Sequence, residues 1–404
     1  MTRGSESLPG GPVLDEVAGD LGVALWSALR NVTTWAATPP ARRAGLFAAP
    51  SAARREEELS RLEVDAELVA PLSVMVRLLE NPVGMELSRL VNACRRIALW
   101  AEQRGHLGTA LEWAQAAAVA APQSAGLAYA VGRLARRRAE YDRAESWFAR
   151  AIVQARRAQD WRTYALGYSG LGNLLVQKGN FPSAKRAHGR CLKAALRHGM
   201  TTLQGDAYHD LFVTEIETGA GPAADALAER SMHAYGAGHP KLPRLAFDVA
   251  YHWMLEGLFP EALRLALALE PHFPAPAERA LALSMITRSG GGAGDRTAFH
   301  GARERLDALL ATGAGADSAA RALLGVAYGA ASLGEWTLAE DYGQQALRVA
   351  AERREGKIVV AAEAALDFVR ARARVAAPSD RPTAARLADE MVAALSAPGT
   401  LVPA

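Results

Sequence analysis

An all-α fold of stacked helical hairpins is predicted by three observations in this 404-residue sequence. The first is a recurring six-residue phrase: a small residue, an aromatic or Leu two places on, and Ala three places after that. It occurs at Gly105–Ala110, Ala139–Ala144, Gly179–Ala184, Gly257–Ala262 and Gly334–Ala339, with a weaker copy at Gly219–Ala224 that lacks the aromatic. The closing alanines lie 34, 40, 40, 38 and 77 residues apart, so the last interval holds two repeats of about 38 and a degenerate copy near Ala302. The second observation is an apolar stretch before each phrase, with close-packing pairs at Val131-Gly132, Leu171-Gly172, Leu211-Phe212, Val249-Ala250 and Val326-Ala327. The third is a spacing of three to four that persists downstream, as in Phe148 and Ala151 after Ala144.

Each part of the phrase has a physical role. The glycine ends a helix in a left-handed turn. The aromatic opens the next helix and packs inward, and the alanine is small because two helices cross there at close range. Pro122 and Pro274 close individual units. The array spans residues 91–397 in about seven to eight hairpins. Residues 1–90 do not carry the phrase and read as a helical cap over the apolar end of the first repeat. Within it, Val13 to Ala37 reads as one helix stopped by Thr38-Pro39-Pro40. Ser51 to Glu63 reads as a charged helix with Ser51 at its N-cap, and Leu68 to Leu79 is apolar on one face. Asn81-Pro82 is expected to cap the next helix. The triglycine of Ser289 to Asp295 reads as a flexible loop, and residues 398–404 as a frayed tail.

Composition excludes several classes. The chain is half apolar, 22% charged and 6% aromatic, which suits a folded soluble chain, and no run of 18 apolar residues exists to span a membrane. The polar, acidic first 20 residues lack a secretory apolar region, and two cysteines cannot build a disulfide framework, so a reducing cytoplasm is expected. Net charge is only +3, but it is unevenly placed: residues 130–200 carry 15 Lys/Arg against 4 Asp/Glu, and residues 201–278 carry 4 against 11. Two readings stay open, a self-compensating surface or a steering patch for an acidic partner. Aromatic residues for base stacking are few in the basic segment (Tyr129, Tyr164, Tyr168), which disfavours nucleic acid.

The pattern resembles the tetratricopeptide repeat, best over Ala125 to Arg156, where Gly132, Tyr141, Ala144, Phe148 and Ala151 fall on the family's spacing. The next unit matches at Leu171, Gly172, Phe181 and Ala184 and departs at His188 and Cys191. The long units are similar to those of peptide-sensing bacterial regulators and kinesin light chains. The resemblance implies a right-handed superhelical α-solenoid whose first helices line a concave groove. Helical periodicity then puts Asn92, Arg95, Tyr129, Arg133, Arg136, Asn173, Gln177, Asp206, His209, Phe247, Tyr251 and Tyr328 on that groove, although each is equally compatible with a solvated helix face. Asn173 stands where peptide-binding members place an asparagine against the ligand backbone, and Arg95, Arg133 and Arg136 offer forks for carboxylates. The family's full carboxylate clamp is not reproduced.

No phosphate loop, zinc helix or nucleophile elbow is present, and no set of residues at metal-ligand spacing. His209 and Asp210 are helix neighbours about 100° apart and do not face each other. Cys94 and Cys191 occupy apolar positions as core fillers. The leading expectation is a non-catalytic adaptor for a protein or peptide, needing no cofactor, metal or membrane. The alternative is a signal-responsive transcription regulator, since Val17 to Val23 loosely echoes a helix-turn-helix core, with Asn31 where an apolar residue is wanted. An enzyme would need convergent polar groups that no spacing here supplies.

Overall fold

The computed structural model describes residues 11–48, 50–219, 221–372 and 381–397. Every regular element among them is helical, and the chain divides into two compact units, Met1–Leu203 and Gln204–Ala404.

The first unit opens with α1 (Gly11–Glu16), α2 (Gly19–Ala37), α3 (Ser51–Ser60) and α4 (Ala66–Glu80). Three hairpins follow: α5 (Leu87–Gln103) with α6 (Leu107–Ala120), α7 (Ala125–Arg137) with α8 (Tyr141–Arg157), and α9 (Trp161–Gln177) with α10 (Phe181–Arg197). Of these early helices, α1 and α2 lie on α6, and α4 lies on α5. The junction is specific. The Glu16 carboxylate accepts the Gly108 and Thr109 N–H groups at 2.8 and 2.7 Å, which satisfies the exposed donors at the start of α6. Trp35 donates from Nε1 to the Pro82 carbonyl at 2.7 Å, and the Arg43 guanidinium stacks 3.6 Å from the Trp35 ring centroid.

Three local expectations for this region are corrected. Val13 to Ala37 is two helices, because the chain breaks at Val17 and Ala18 and Gly19 takes φ +68°. Ser51 is the first residue of α3 and not its N-cap, which is Pro50, and α3 stops at Ser60. Asn81 ends α4, and α5 begins only at Leu87 after an Asn81 side-chain turn onto the Gly84 N–H. The left-handed Gly19 and the Asn81 side-chain turn are local backbone events that leave no periodic signal.

The second unit comprises α11 (Thr201–Glu217, whose first turn crosses the unit boundary) with α12 (Gly221–Tyr235), and α13 (Leu242–Leu255) with α14 (Phe259–Leu269). It continues with α15 (Pro276–Ala293) and α16 (Arg296–Ala311), then α17 (Ala319–Ser332) and α18 (Trp336–Glu352), and ends with α19 (Gly356–Arg370) and α20 (Pro382–Leu395). The first helices of successive hairpins pack on one another: α7 on α9 in the first unit, and α13, α15, α17 and α19 in sequence in the second. Helix α20 leaves this order. It returns to pack on α12, α13 and α14, and its Ala394 carbonyl accepts the Gly238 N–H at 3.1 Å.

The hairpin turns explain the recurring phrase. At most of them an N–H just past the turn donates to the carbonyl five residues back: His106 to Ala101, Glu140 to Ala135, Asn180 to Leu175, Leu258 to Trp253 and Glu335 to Ala330, at 2.8–2.9 Å. This closure needs a left-handed residue one place earlier. Gly105, Gly179, Gly257 and Gly334 supply it with φ between +72° and +81°, but Ala139 supplies it at +59°. A Cβ in that region costs about 1–2 kcal/mol. Ala139→Gly is therefore expected to stabilise the first unit by about 1 kcal/mol, less the entropy glycine adds to the unfolded chain, in urea denaturation. The closing alanines 110, 144, 184, 224, 262, 302 and 339 are all fully buried at helix crossings. Twelve residues before each, on the preceding helix, stands a residue that at two positions faces the side chain four places after the alanine. A Cβ on Gly132 would lie 2.8 Å from the Phe148 ring, and one on Gly172 would enter the His188 ring.

The triglycine is not a loop. Gly290, Gly291 and Gly292 lie in the last turns of α15, and the turn itself is made by Gly294 at φ +76°. A Cβ on Gly291 would stand 2.6 Å from the Gly329 carbonyl carbon in α17 and nearer still to its oxygen. One on Gly292 would pierce the Phe259 ring. The glycines let α15 lie backbone to backbone against α17. Residues 398–404 fall outside the described residues.

Candidate functional site

All the residues read as groove candidates lie on first helices of hairpins: Asn92 and Arg95 on α5, Tyr129, Arg133 and Arg136 on α7, Asn173 and Gln177 on α9, Asp206 and His209 on α11, Phe247 and Tyr251 on α13, Tyr328 on α17. Their side chains have different surroundings, which follow from what the adjacent first helix offers.

In the first unit, Asn92, Arg95 and Gln177 are exposed. Arg133 forks onto Glu102 of α5 at 2.5 and 2.6 Å, and Arg137 joins the same carboxylate. The Arg133 hydrogen bond and the two cations hold the Glu102 carboxyl below the ordinary carboxylate range. This fork is occupied from within the chain. Arg136 is half-buried beside it on α7. Tyr129 is half-buried, with its ring centroid 6.0 Å from that of Phe148. Asn173 is half-buried and, among the described residues, makes no hydrogen bond, so its amide keeps both a donor and an acceptor for a ligand. Tyr164 and Tyr168 meet edge to face at 5.0 Å, and Arg190 donates to the Tyr168 hydroxyl at 3.0 Å. Much of the basic charge here is locally matched: Arg138 and Arg143 share Glu140, and Lys178 reaches Glu145.

In the second unit, Asp206 is spent on structure. It accepts from the Tyr235 hydroxyl at 2.8 Å and from Lys241 Nζ at 2.7 Å, tying α11 to α12 and to the entry of α13. Burial, then the Asp206 charge, pushes the Tyr235 phenol up, so it stays a donor. His209 finds its carboxylate on Asp248 of α13 at 3.0 Å, not on Asp210, and Arg244 reaches the same Asp248 oxygen at 3.2 Å. Phe247 packs edge to face on Phe273 at 5.7 Å. Tyr251 is 44% exposed. Tyr328 is half-buried, and the Arg288 guanidinium of α15 lies 4.4 Å from its ring centroid. Burial lowers the Arg288 pKa, with the Tyr328 and Tyr251 phenols its opposing electrostatic neighbours.

Asp248 and Arg288 were missed in the sequence. For Arg288 a signal existed: Gly290 precedes the buried Ala302 by twelve residues, as Gly132 precedes Ala144 and Gly172 precedes Ala184. That register makes residues 276–293 a first helix and puts Arg288 in the row. Cys94 and Cys191 are buried, and burial pushes the Cys94 thiol up to about 12, as core packing requires. Glu229, His233 and Glu390 bring three ligand-type atoms together, but Arg386 bridges the two carboxylates at 2.8 and 2.6 Å, so the cluster fastens α20 to α12. Among the described residues no helix is long and apolar enough to cross a membrane.

No family model matches the sequence, and no curated protein matches it. Solved structures do resemble the fold. The apo form of RapI is similar at 11% identity, over 66% of this chain and 99% of that one, with a TM-score of 0.50. Aspartyl phosphate phosphatase F from Bacillus subtilis is similar at 12% identity, over 94% of this chain and 99% of that one, with a TM-score of 0.46. A Rap protein complexed with the competence and sporulation factor is similar at 10% identity, over 87% and 98%, also with a TM-score of 0.46. With the buried alanine register and the recurring turn closure, the fold is that of the tetratricopeptide class of helical-hairpin repeats.

Proposed function

We propose that the chain is a protein- or peptide-binding adaptor that holds an extended segment along the first helices of its second unit. The observation that carries this reading is the division of labour within each hairpin. Apolar and small side chains are used up between helices, while the first helices keep partly exposed polar and aromatic groups: Asn173 on α9 in the first unit and, in the second, His209 and Asp248 on α11 and α13, Tyr251 on α13 and Tyr328 on α17. Tyrosines give a large rigid contact at low entropic cost, and a partnerless amide suits backbone capture. Arg133 in the first unit and Asp206 in the second each brace adjacent helices of their own unit.

The test is selection from a random hexapeptide library by the full chain, repeated with Tyr251→Ala/Tyr328→Ala. The wild type should retain a definable peptide set, and the folded double variant should bind it about tenfold or more weakly, as loss of aromatic anchors implies. Wild-type chain that retains no peptide, or a variant with unchanged affinity, would overturn the reading.

A further inference from the structure

Arg288 is placed unlike Arg133 and Arg244, two other partly or fully accessible arginines on first helices. Arg133 and Arg244, on α7 and α13, each reach a carboxylate of this chain. Arg288 is half-buried, and among the described residues it has neither an ion pair nor a hydrogen bond. Among the described residues its ring contact is with Tyr328.

The position is built into the packing. Gly291 lets α15 press its backbone onto α17, and Gly325 of α17 lies so close to Ser284 that a Cβ there would stand 3.0 Å from the Ser284 carbonyl oxygen. This close crossing holds Arg288 over Tyr328, and Tyr251 lies on α13, which packs against α15 from the preceding hairpin. A guanidinium partly removed from water without a counter-ion is costly. Stacked by one face on an aromatic ring, it still has edge N–H donors in a rigid fork that matches a carboxylate. Partial desolvation makes such a pair stronger than one on an open surface.

We propose that Arg288, flanked by Tyr251 and Tyr328, receives a carboxylate of the bound peptide, either an Asp or Glu side chain or the peptide's C-terminal group. This rests on the peptide-binding reading above and adds the ligand chemistry at one point of the face. It also moves carboxylate recognition to the second unit, since the Arg133 fork of the first is filled by Glu102.

The hexapeptide selection tests it, run on the full chain with each library made both as free acids and as C-terminal amides. The wild type should enrich Asp or Glu at one fixed position in both libraries if a side chain is bound, or enrich free acids over amides if the terminus is bound. Arg288→Gln should abolish that preference, weakening acidic peptides about tenfold or more while preferences at other positions persist. Arg288→Lys keeps the charge without the fork and should recover only part of it. Removing a cation that has no counter-ion should leave the thermal midpoint unchanged or higher, so both variants are expected to fold. Peptides bound with no carboxylate preference, or a preference unchanged in Arg288→Gln, would overturn this inference and leave peptide binding standing. Retention of no peptide at all would overturn both.

Discussion

Gly291→Val is expected to destabilise the second unit by about 3 kcal/mol, read as a lower urea midpoint at unchanged slope. Added bulk that meets the end of a flexible side chain can be met by a rotamer shift. Here the obstructing atoms are the Gly329 backbone of α17, so two helices must separate. Separation also parts Ile286 and Val326, both fully buried in the same core. Gly301→Ala on α16 is the control, because nothing lies within 4 Å of its Cβ and its residue is exposed. There the better helix propensity of alanine should raise stability by about 0.5–1 kcal/mol. Opposite signs at two helical glycines ten residues apart would establish the α15–α17 crossing; equal effects would contradict it.

Arg381→Ala is expected to cost about 3 kcal/mol and to free α20. Asp225 on α12 is 5% exposed and accepts from Arg381 Nη1 at 3.0 Å and from Trp253 Nε1 at 2.8 Å. Arg381 also reaches Glu256 at the end of α13. Taking the guanidinium away leaves two carboxylates facing each other's surroundings with one neutral donor between them. Hydrogen exchange should then show faster amides across Pro382–Leu395 while α15 to α18 keep their protection. Adding Asp225→Asn should restore part of the loss, since the residual cost is that of an unpaired buried charge. Unaltered exchange in α20 would mean that its apolar face, with Leu387, Ala388 and Met391 fully or almost fully buried, holds it alone.

The repeating part of this fold was legible because it is local. The glycine turn, the aromatic and the buried alanine occur within six residues, and their helix partner lies twelve residues back. The hidden hairpin around Ala302 followed from the period alone. What misled was composition: three consecutive glycines suggest a loop, whereas a tight helix crossing also demands them. Of the proposed binding face, the helix and position of Tyr251 and Tyr328 were readable. The occupation of Arg133 and Asp206 was not, because their partners Glu102 and Lys241 lie 31 and 35 residues away on neighbouring helices. The return of α20 includes the Arg381–Asp225 tie across 156 residues, which no periodic pattern encodes.

That return has a mechanical consequence. A plain stack of hairpins has loose ends, and under tension it peels from either one, a step at a time, each step meeting only its neighbour's resistance. With the final helix riveted to the middle of its own unit, the intervening hairpins form a closed bight. Tugging the C-terminus loads α12 to α14 first, so rupture comes late and in one larger event, and α15 to α18 are sheltered until it happens.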